Sequence, residues 1–198
     1  PAGWCDLIIR EWPVDAVVGE NGAFALYFDG PQLKRILHPN TVPDAREKLR
    51  SVREAVLQAV PGSRVAKDQF SRIDDLAIDF NEDEPRLGLE AAEKIKAVCE
   101  SMGATAKLSS IHVNAWFGDY DKVSMAGEVL SHIFGVQEPE KEAMFFGDSP
   151  NDVALLRAAA VGIAMGNADD EVKAAADYVT DDIRHDGIYN ACVHFGLI

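Results

Sequence analysis

No stretch of this sequence stays apolar long enough to span a bilayer, and its opening residues lack the basic and apolar blocks of a secretory leader. Cations are scarce. Lys and Arg total 19 against 33 Asp and Glu, a formal net charge of −14. That balance argues against a nucleic-acid backbone or an anionic membrane surface as partner. It leaves phosphorylated small molecules open, because a local cation can reverse the sign of the field within a cleft. Cysteine is sparse as well: Cys5, Cys99 and Cys192 are odd in number, scattered and in no metal or redox spacing. They are expected to be reduced, buried thiols of a cytoplasmic protein. Internal repeats and low-complexity tracts are missing too. What is present, 47% hydrophobic and 26% charged residues in a chain of 198, suits a globular protein of one large domain or two small ones.

Hydrophobic periodicity divides the chain into two textures. Val14–Gly19 and Phe24–Phe28 read as strands on either side of a Glu20-Asn21-Gly22 turn. Val42–Val60 is a helix by its Leu49, Val52, Val56, Leu57 and Val60 spacing, and Pro61-Gly62 stops it. Ile73–Phe80 reads as a strand. Leu87–Met102 reads as a helix with Leu89, Ala92, Ile95 and Val98-Cys99 inward, and Thr105–Leu108 and Ile111–Trp116 as paired strands. From residue 117 the pattern changes. Helix Asp121–Phe134 precedes the apolar strand Ala143–Phe146. Helix Pro150–Ala159, strand Val161–Met165, helix Asp169–Ala176, strand Tyr178–Thr180 and a helical tail Gly187–Phe195 follow. Strands without polar alternation, each followed by a short helix, indicate a parallel sheet covered on both faces. The middle third orders instead as an open-faced α+β unit. The expected organisation is therefore residues 1–22 and 117–198 as one α/β core and residues 23–116 as an inserted unit. Pro1–Asp6 shows no helix or strand opening, and the chain is expected to begin partway into a larger fold.

Three stretches carry chemistry. In Phe145–Leu156, "FFGDSPNDVALL", Ser149 suits an N-cap, Pro150 the first helical position and Asp152 the third, which together make a capping box. That leaves Asp148 unexplained. A carboxylate at the C-terminal end of a parallel strand stands where open α/β sheets bind ligands, and it suits Mg²⁺ bridging to phosphate. On the residues alone, helix cap and site both remain open. Lys122, in the first turn of its helix, opposes the helix dipole. By itself it is a solvated charge, but beside an acidic metal loop it could neutralise phosphoryl oxygens. Asn21-Gly22 is either a plain turn or, at the junction of the two units, a ligand contact.

Together, Gly147-Asp148-Ser149-Pro150-Asn151-Asp152, its preceding apolar strand and the upstream Lys122 resemble the last two motifs of the haloacid dehalogenase-like phosphatases. Glu20-Asn21-Gly22-Ala23 and the α+β insert are similar to the Cof-type, sucrose-phosphatase-like branch with a type IIB cap. The resemblance covers nearly the whole chain. It implies a Rossmann-like parallel-sheet core with an inserted α+β cap domain. It also implies a Mg²⁺-dependent phosphomonoester hydrolase that works through an aspartyl-phosphate on a small metabolite, a sugar phosphate by type. Carried over residue by residue, Asp148 would ligate Mg²⁺, and Asp152 would support the metal and Lys122. Asn151 would contact the phosphate or nucleophile side, Lys122 would stabilise phosphate charge, and Asn21 would lie near the substrate at the cap hinge.

The sequence departs from the family at its first motif, a strand ending in Asp-x-Asp-Gly-Thr that supplies the nucleophile. Asp29-Gly30 has Tyr27 in the nucleophile's place. Asp79-Phe80-Asn81 lacks the glycine, and Lys122 follows Asp119 and Asp121. A strand ending in the second motif's Ser or Thr is missing too. The expectation is a truncated form that lacks the nucleophile and is inactive by itself. A core missing an edge would leave the chain marginally stable or oligomeric. Two alternatives stand beside this reading. One is a non-catalytic phosphate- or metal-binding module. The other, a receiver-like phosphoacceptor domain, is disfavoured by the insert and by the order of the lysine and the acidic loop.

Overall fold

The computed structural model describes residues 1–198, and of Pro139 the backbone only. The chain forms two compact units, Pro1–Ala126 and Gly127–Ile198.

The first unit opens with helix α1 (Ala2–Glu11), followed by the antiparallel meander β1 (Ala16–Gly19), β2 (Phe24–Asp29) and β3 (Gln32–Leu37). The expected absence of a helix at Pro1–Asp6 is thus overturned, for a non-local reason. No side chain near Pro1 caps the helix; the Ala2 N–H donates instead to Glu20 Oε1, 2.9 Å away. Cys5 and Ile9, one helical turn apart, bury themselves with Phe24, Leu26, Trp116 and Tyr120. Strand β3 also had no expectation. Its polar sequence hides the alternation, and its register comes from the two-residue turn Gly30-Pro31, which pairs Asp29 with Gln32 and holds Gly30 at φ 57°.

Helix α2 (Ala45–Ala59), β4 (Arg64–Val65), β5 (Asp75–Asp79), α3 (Gly88–Ser101), β6 (Thr105–Leu108) and β7 (His112–Trp116) complete an α+β layer pair. Its antiparallel sheet has the order β4-β5-β7-β6. Successive side chains alternate between faces. Leu76, Ile78, Val113 and Ala115 pack on Leu49, Val52 and Val56 of α2 and on Ala92, Ile95 and Cys99 of α3. The opposite face carries Asp75, Ala77, Asp79, His112, Asn114 and Trp116, paired across the strands as Asp75 with Trp116, Ala77 with Asn114 and Asp79 with His112. The expected element order of this region is found. Leu89, expected inward, is 71% exposed, and Leu87 just before the helix packs on the core instead.

Helix α4 (Lys122–His132) spans the division between the units. In the second unit α5 (Pro139–Glu142) precedes β8 (Met144–Gly147), α6 (Val153–Ala158), β9 (Val161–Ala164), α7 (Asp170–Ala174), β10 (Tyr178–Val179) and α8 (Gly187–His194). The three strands are parallel in the order β10-β9-β8, as the unalternated apolar runs predict. Leu156, Ala164, Ala168 and Val172 form the buried centre. Helix α6 can return this closely only because residue 162 is glycine: a Cβ there would sit 2.3 Å from the Leu156 carbonyl oxygen. The fold class is therefore α/β, with a Rossmann-like parallel sheet and an α+β cap layer.

The three cysteines are free; Cys5 and Cys99 are buried as expected, whereas Cys192 is only half-buried. Burial pushes the Cys99 thiol up to about 11. Among the described residues no helix is long and apolar enough to cross a membrane. The packing predicts that Ile78→Ala lowers the unfolding free energy by about 2–5 kcal/mol. Leu89→Ala should change it by less than about 1 kcal/mol. Urea denaturation of both variants checks this, and equal losses would contradict the assigned inner face.

Candidate functional site

Strand β8 ends at Gly147, and the chain turns at Asp148 into the single helical turn Pro150–Asp152 that leads into α6. The buried Asp152 carboxylate organises this turn. Its Oδ2 accepts from the Asp148 and Ser149 N–H groups, both at 3.3 Å, and lies 3.1 Å from Ser149 Oγ. Ser149 Oγ is 2.6 Å from Asn151 Oδ1, so its one proton can bond either acceptor. The capping-box reading of Ser149, Pro150 and Asp152 holds. Gly147 is part of the same device, because a Cβ there would meet Asp152 Cβ at 2.7 Å. The turn leaves Asp148 exposed at the C-terminal end of a parallel strand, with its backbone fixed from below by Asp152.

The donors of this turn (Asp148, Ser149, Asn151 and Asp152) are all oxygen-bearing, with no thiolate or imidazole. Such a set suits a hard cation such as Mg²⁺ and not a soft one. Among the described residues no group of three or more His, Cys, Asp or Glu side chains could hold a metal ion. One or two carboxylates are what Mg²⁺ takes from a protein when water and substrate oxygens complete its shell, so the residues present fit it.

Asn21 and Lys122 lie in the first unit. Lys122 is the first residue of α4, where Asp121 and Ser124 cap the helix reciprocally. The Asp121 N–H donates to Ser124 Oγ at 2.9 Å, and the Ser124 N–H donates to Asp121 Oδ1 at 2.8 Å. The Glu20-Asn21-Gly22 turn approaches this helix start closely: a Cβ on Gly22 would lie 2.1 Å from the Asp121 carbonyl oxygen and 3.1 Å from Lys122 N. Glu20, Asn21 and Gly22 all have positive φ, at 45°, 59° and 102°. Two of the three are not glycine, so the surroundings must hold this conformation.

Sequence reasoning missed the residues that do so. The buried Glu20 carboxylate accepts from the N–H groups of Ala2, Ile73, Asp74 and Asp75. Asn21 Nδ2 donates to Asp75 Oδ2 at 3.0 Å. Asp75, only 3% exposed, also accepts from the Arg72 guanidinium, which binds Asp68 as well. Burial outweighs the nearby Arg72 and, with a further push from the Glu20 charge, raises the Asp75 carboxyl to about 6. Glu20 was visible only as part of a turn and of the Glu20-Asn21-Gly22-Ala23 signal, and no local signal marks Asp75.

The acids weighed as a nucleophile motif have structural surroundings. Asp79 pairs with Arg64 at 3.1 Å and accepts the Glu82 N–H; Asp121 is the cap just described; Asp29 closes a hairpin. Asp119 lies in the loop before α4, where its carbonyl accepts from Asn40 Nδ2. His112 and Asn114 lie on β7, and His112 Nε2 is 2.9 Å from Glu82 Oε2. Asn114 Oδ1 is buried without a partner among the described residues. Arg72 and Asp74 lie in the loop before β5.

Three comparisons bear on this geometry. The profile of the family described as haloacid dehalogenase-like hydrolase matches residues 66–192. A 5-amino-6-(5-phospho-D-ribitylamino)uracil phosphatase, YcsE of Bacillus subtilis (strain 168), is 32% identical over 122 residues, which are 62% of this chain and 47% of that protein. The pyridoxal phosphate phosphatase YbhA of Escherichia coli (strain K12) is 56% identical over 43 residues, 22% of this chain and 16% of that one. The match thus spans about half the length of the first relative and less of the second. Among solved structures, the subclass IIB sugar phosphatase BT4131 superposes with a TM-score of 0.68 at 22% identity, covering 98% of this chain and 80% of that one. Thermoplasma acidophilum protein 0175 superposes at 0.73 and 19% identity, covering 99% and 79%. At these identities the shared feature is the fold.

The elevated Asp75 carboxyl generates a prediction. A carboxyl whose folded value is raised contributes stability that is full below its unfolded value, near 3.8, and lost as pH rises through about 6. The stability difference between wild type and Asp75→Asn should therefore move against the wild type by up to about 3 kcal/mol between acid and neutral pH. Urea denaturation at a series of pH values checks it; a flat difference would contradict the burial assigned to Asp75.

Proposed function

We propose, for a chain that belongs to the haloacid dehalogenase-like hydrolase family, a Mg²⁺-dependent phosphomonoester hydrolase of the Cof-type branch acting on a small phosphorylated metabolite of the sugar-phosphate type. The observation that carries this reading is the exposed Asp148 carboxylate at the end of β8, its backbone held by the buried Asp152. In this reading Asp148 holds the metal, and Asp152 supports the metal's waters and Lys122 while orienting Asp148 and the rest of the turn. When bound, the ion supplies Lewis-acid polarisation of a phosphoryl oxygen. Lys122 adds a fixed positive charge for the phosphate, Asn151 contributes an amide to the phosphate side, and Asn21 stands near the substrate. Residues 1–22 and 117–198 make the core in this account, and residues 23–116 the cap. The buried, unpartnered Asn114 Oδ1 on the polar face of the cap sheet is a group suited to a leaving-group hydroxyl.

The covalent step of the family is attack of an aspartate on phosphorus with departure of the substrate's alcohol, followed by hydrolysis of the aspartyl-phosphate to inorganic phosphate. That aspartate is assigned to none of Asp29, Asp79, Asp119 and Asp121, three of which have structural work. The 198 residues then supply the charge-neutralising side of the site, and turnover requires an aspartate they do not contain. The same observation favours the second reading, a module that binds Mg²⁺ or a sugar phosphate without turnover.

The full-length protein should hydrolyse p-nitrophenyl phosphate with Mg²⁺, and Asp148→Ala should lower kcat by at least roughly 10²–10³-fold. The 198-residue chain alone should bind Mg²⁺ without hydrolysis. Undiminished activity in Asp148→Ala would remove the metal assignment, and turnover by the isolated chain would remove the claim about the nucleophile.

A further inference from the structure

One cavity of the first unit has a composition opposite to that of the chain. It holds about 450 Å³ between α2 and the segment leading into β5, and its wall includes Arg46, Arg50, Arg53, Phe70, Arg72 and Asp75. In a protein of net charge −14, four arginines thus line one space that has a single acidic residue in its wall.

The arginines of α2 stand at positions i, i+4 and i+7, along one flank of the buried Leu49, Val52 and Val56 stripe. Like charges at this spacing repel and do nothing for the helix. Two of the four guanidinium groups are committed elsewhere. Arg72 is bound to Asp68 and Asp75, and Arg46 Nε donates to the Ile73 carbonyl at 2.9 Å, which fixes its side chain at the cavity edge. Arg50 and Arg53 have no hydrogen-bond or ion-pair partner among the described residues. Glu54, four residues after Arg50, and Glu47, three before it, form no pair with it. Two neighbouring guanidinium forks with unused donors match the oxygens of a phosphate chain, which arginine can bind bidentately.

Phe70 gives the second half of the ligand. Its side chain is 92% exposed beside the arginines, a large apolar ring left in water by the protein alone. An aromatic base stacked on that face would cover it. The volume lies within the range of small-molecule sites. We infer that the cavity between α2 and residues 69–76 is a binding site for a nucleoside polyphosphate, with Arg50 and Arg53 on the phosphates and Phe70 against the base. None of Asp148, Asn151, Asp152, Lys122 and Asn21 lines it; its one link to the residues of the proposed hydrolase site is Asp75, which accepts from Asn21. Asp75 works against an anion here, but its charge is matched by Arg72.

Calorimetry of the 198-residue chain in EDTA and low salt, with ADP, pyrophosphate and adenosine as probes, tests this. EDTA keeps any divalent-metal site out of the measurement. ADP should bind at one site and more tightly than either fragment. Arg50→Ser with Arg53→Ser should weaken ADP at least about tenfold, and Phe70→Ala several-fold, with unfolding midpoints unchanged because these side chains are exposed. No saturable binding of ADP at roughly millimolar concentration, or unchanged affinity in the double variant, would overturn the site. Pyrophosphate binding as tightly as ADP would overturn the assignment of a nucleoside.

Discussion

Four backbone N–H groups from two distant stretches of chain end on one buried carboxylate, that of Glu20. A lone carboxylate out of water is costly, and these donors are what make its burial tolerable. In return it does two structural jobs. It caps α1, where Pro1 offers no side chain, and it fixes the entry of β5, where Ile73, Asp74 and Asp75 direct their N–H groups at it. The Glu20-Asn21-Gly22 turn, with its run of positive φ, is held between those two attachments and the start of α4. Asp75, pushed toward neutrality by burial and by Glu20 itself, passes the same constraint to Asn21 and Arg72.

The second unit solves a parallel problem with the same chemistry. There the buried carboxylate is Asp152, and it gathers the Asp148 and Ser149 N–H groups into a tight turn. In each unit a buried acid is spent on backbone donors, and a neighbouring polar side chain is thereby presented. Asp148 is presented to solvent, and Asn21 is turned to Asp75. The distinction matters for reading acids in such loops: the Asp152 carboxylate is taken up by backbone donors, whereas Asp148 is left exposed.

Much of this was legible in the sequence because it is local. The capping box of Ser149 and Asp152 is set by neighbours within a few residues, and the strands around it and those of the cap layer show in the spacing of their own apolar residues. What was not legible is set across the chain. Helix α1 has no local start signal because its cap lies 18 residues away, in Glu20. Strand β3 is polar and takes its place from a hairpin partner. Asp75 is one acid in an acidic run, and only the fold distinguishes it, by burying it between Arg72 and Asn21. Leu89 fits the inward spacing of α3 and is nevertheless in water, because Leu87 takes up that packing.

The central claim, that the Glu20 carboxylate holds the first unit's turn, helix start and strand entry together, is tested most directly by equilibrium unfolding of Glu20→Gln. The substitution keeps the shape and turns one acceptor oxygen into a donor facing N–H groups. The account predicts a loss of about 3–5 kcal/mol, as for a buried charged group whose hydrogen-bonded partners are left unmatched. A change of less than about 0.5 kcal/mol would contradict it, because that is the range of a surface substitution.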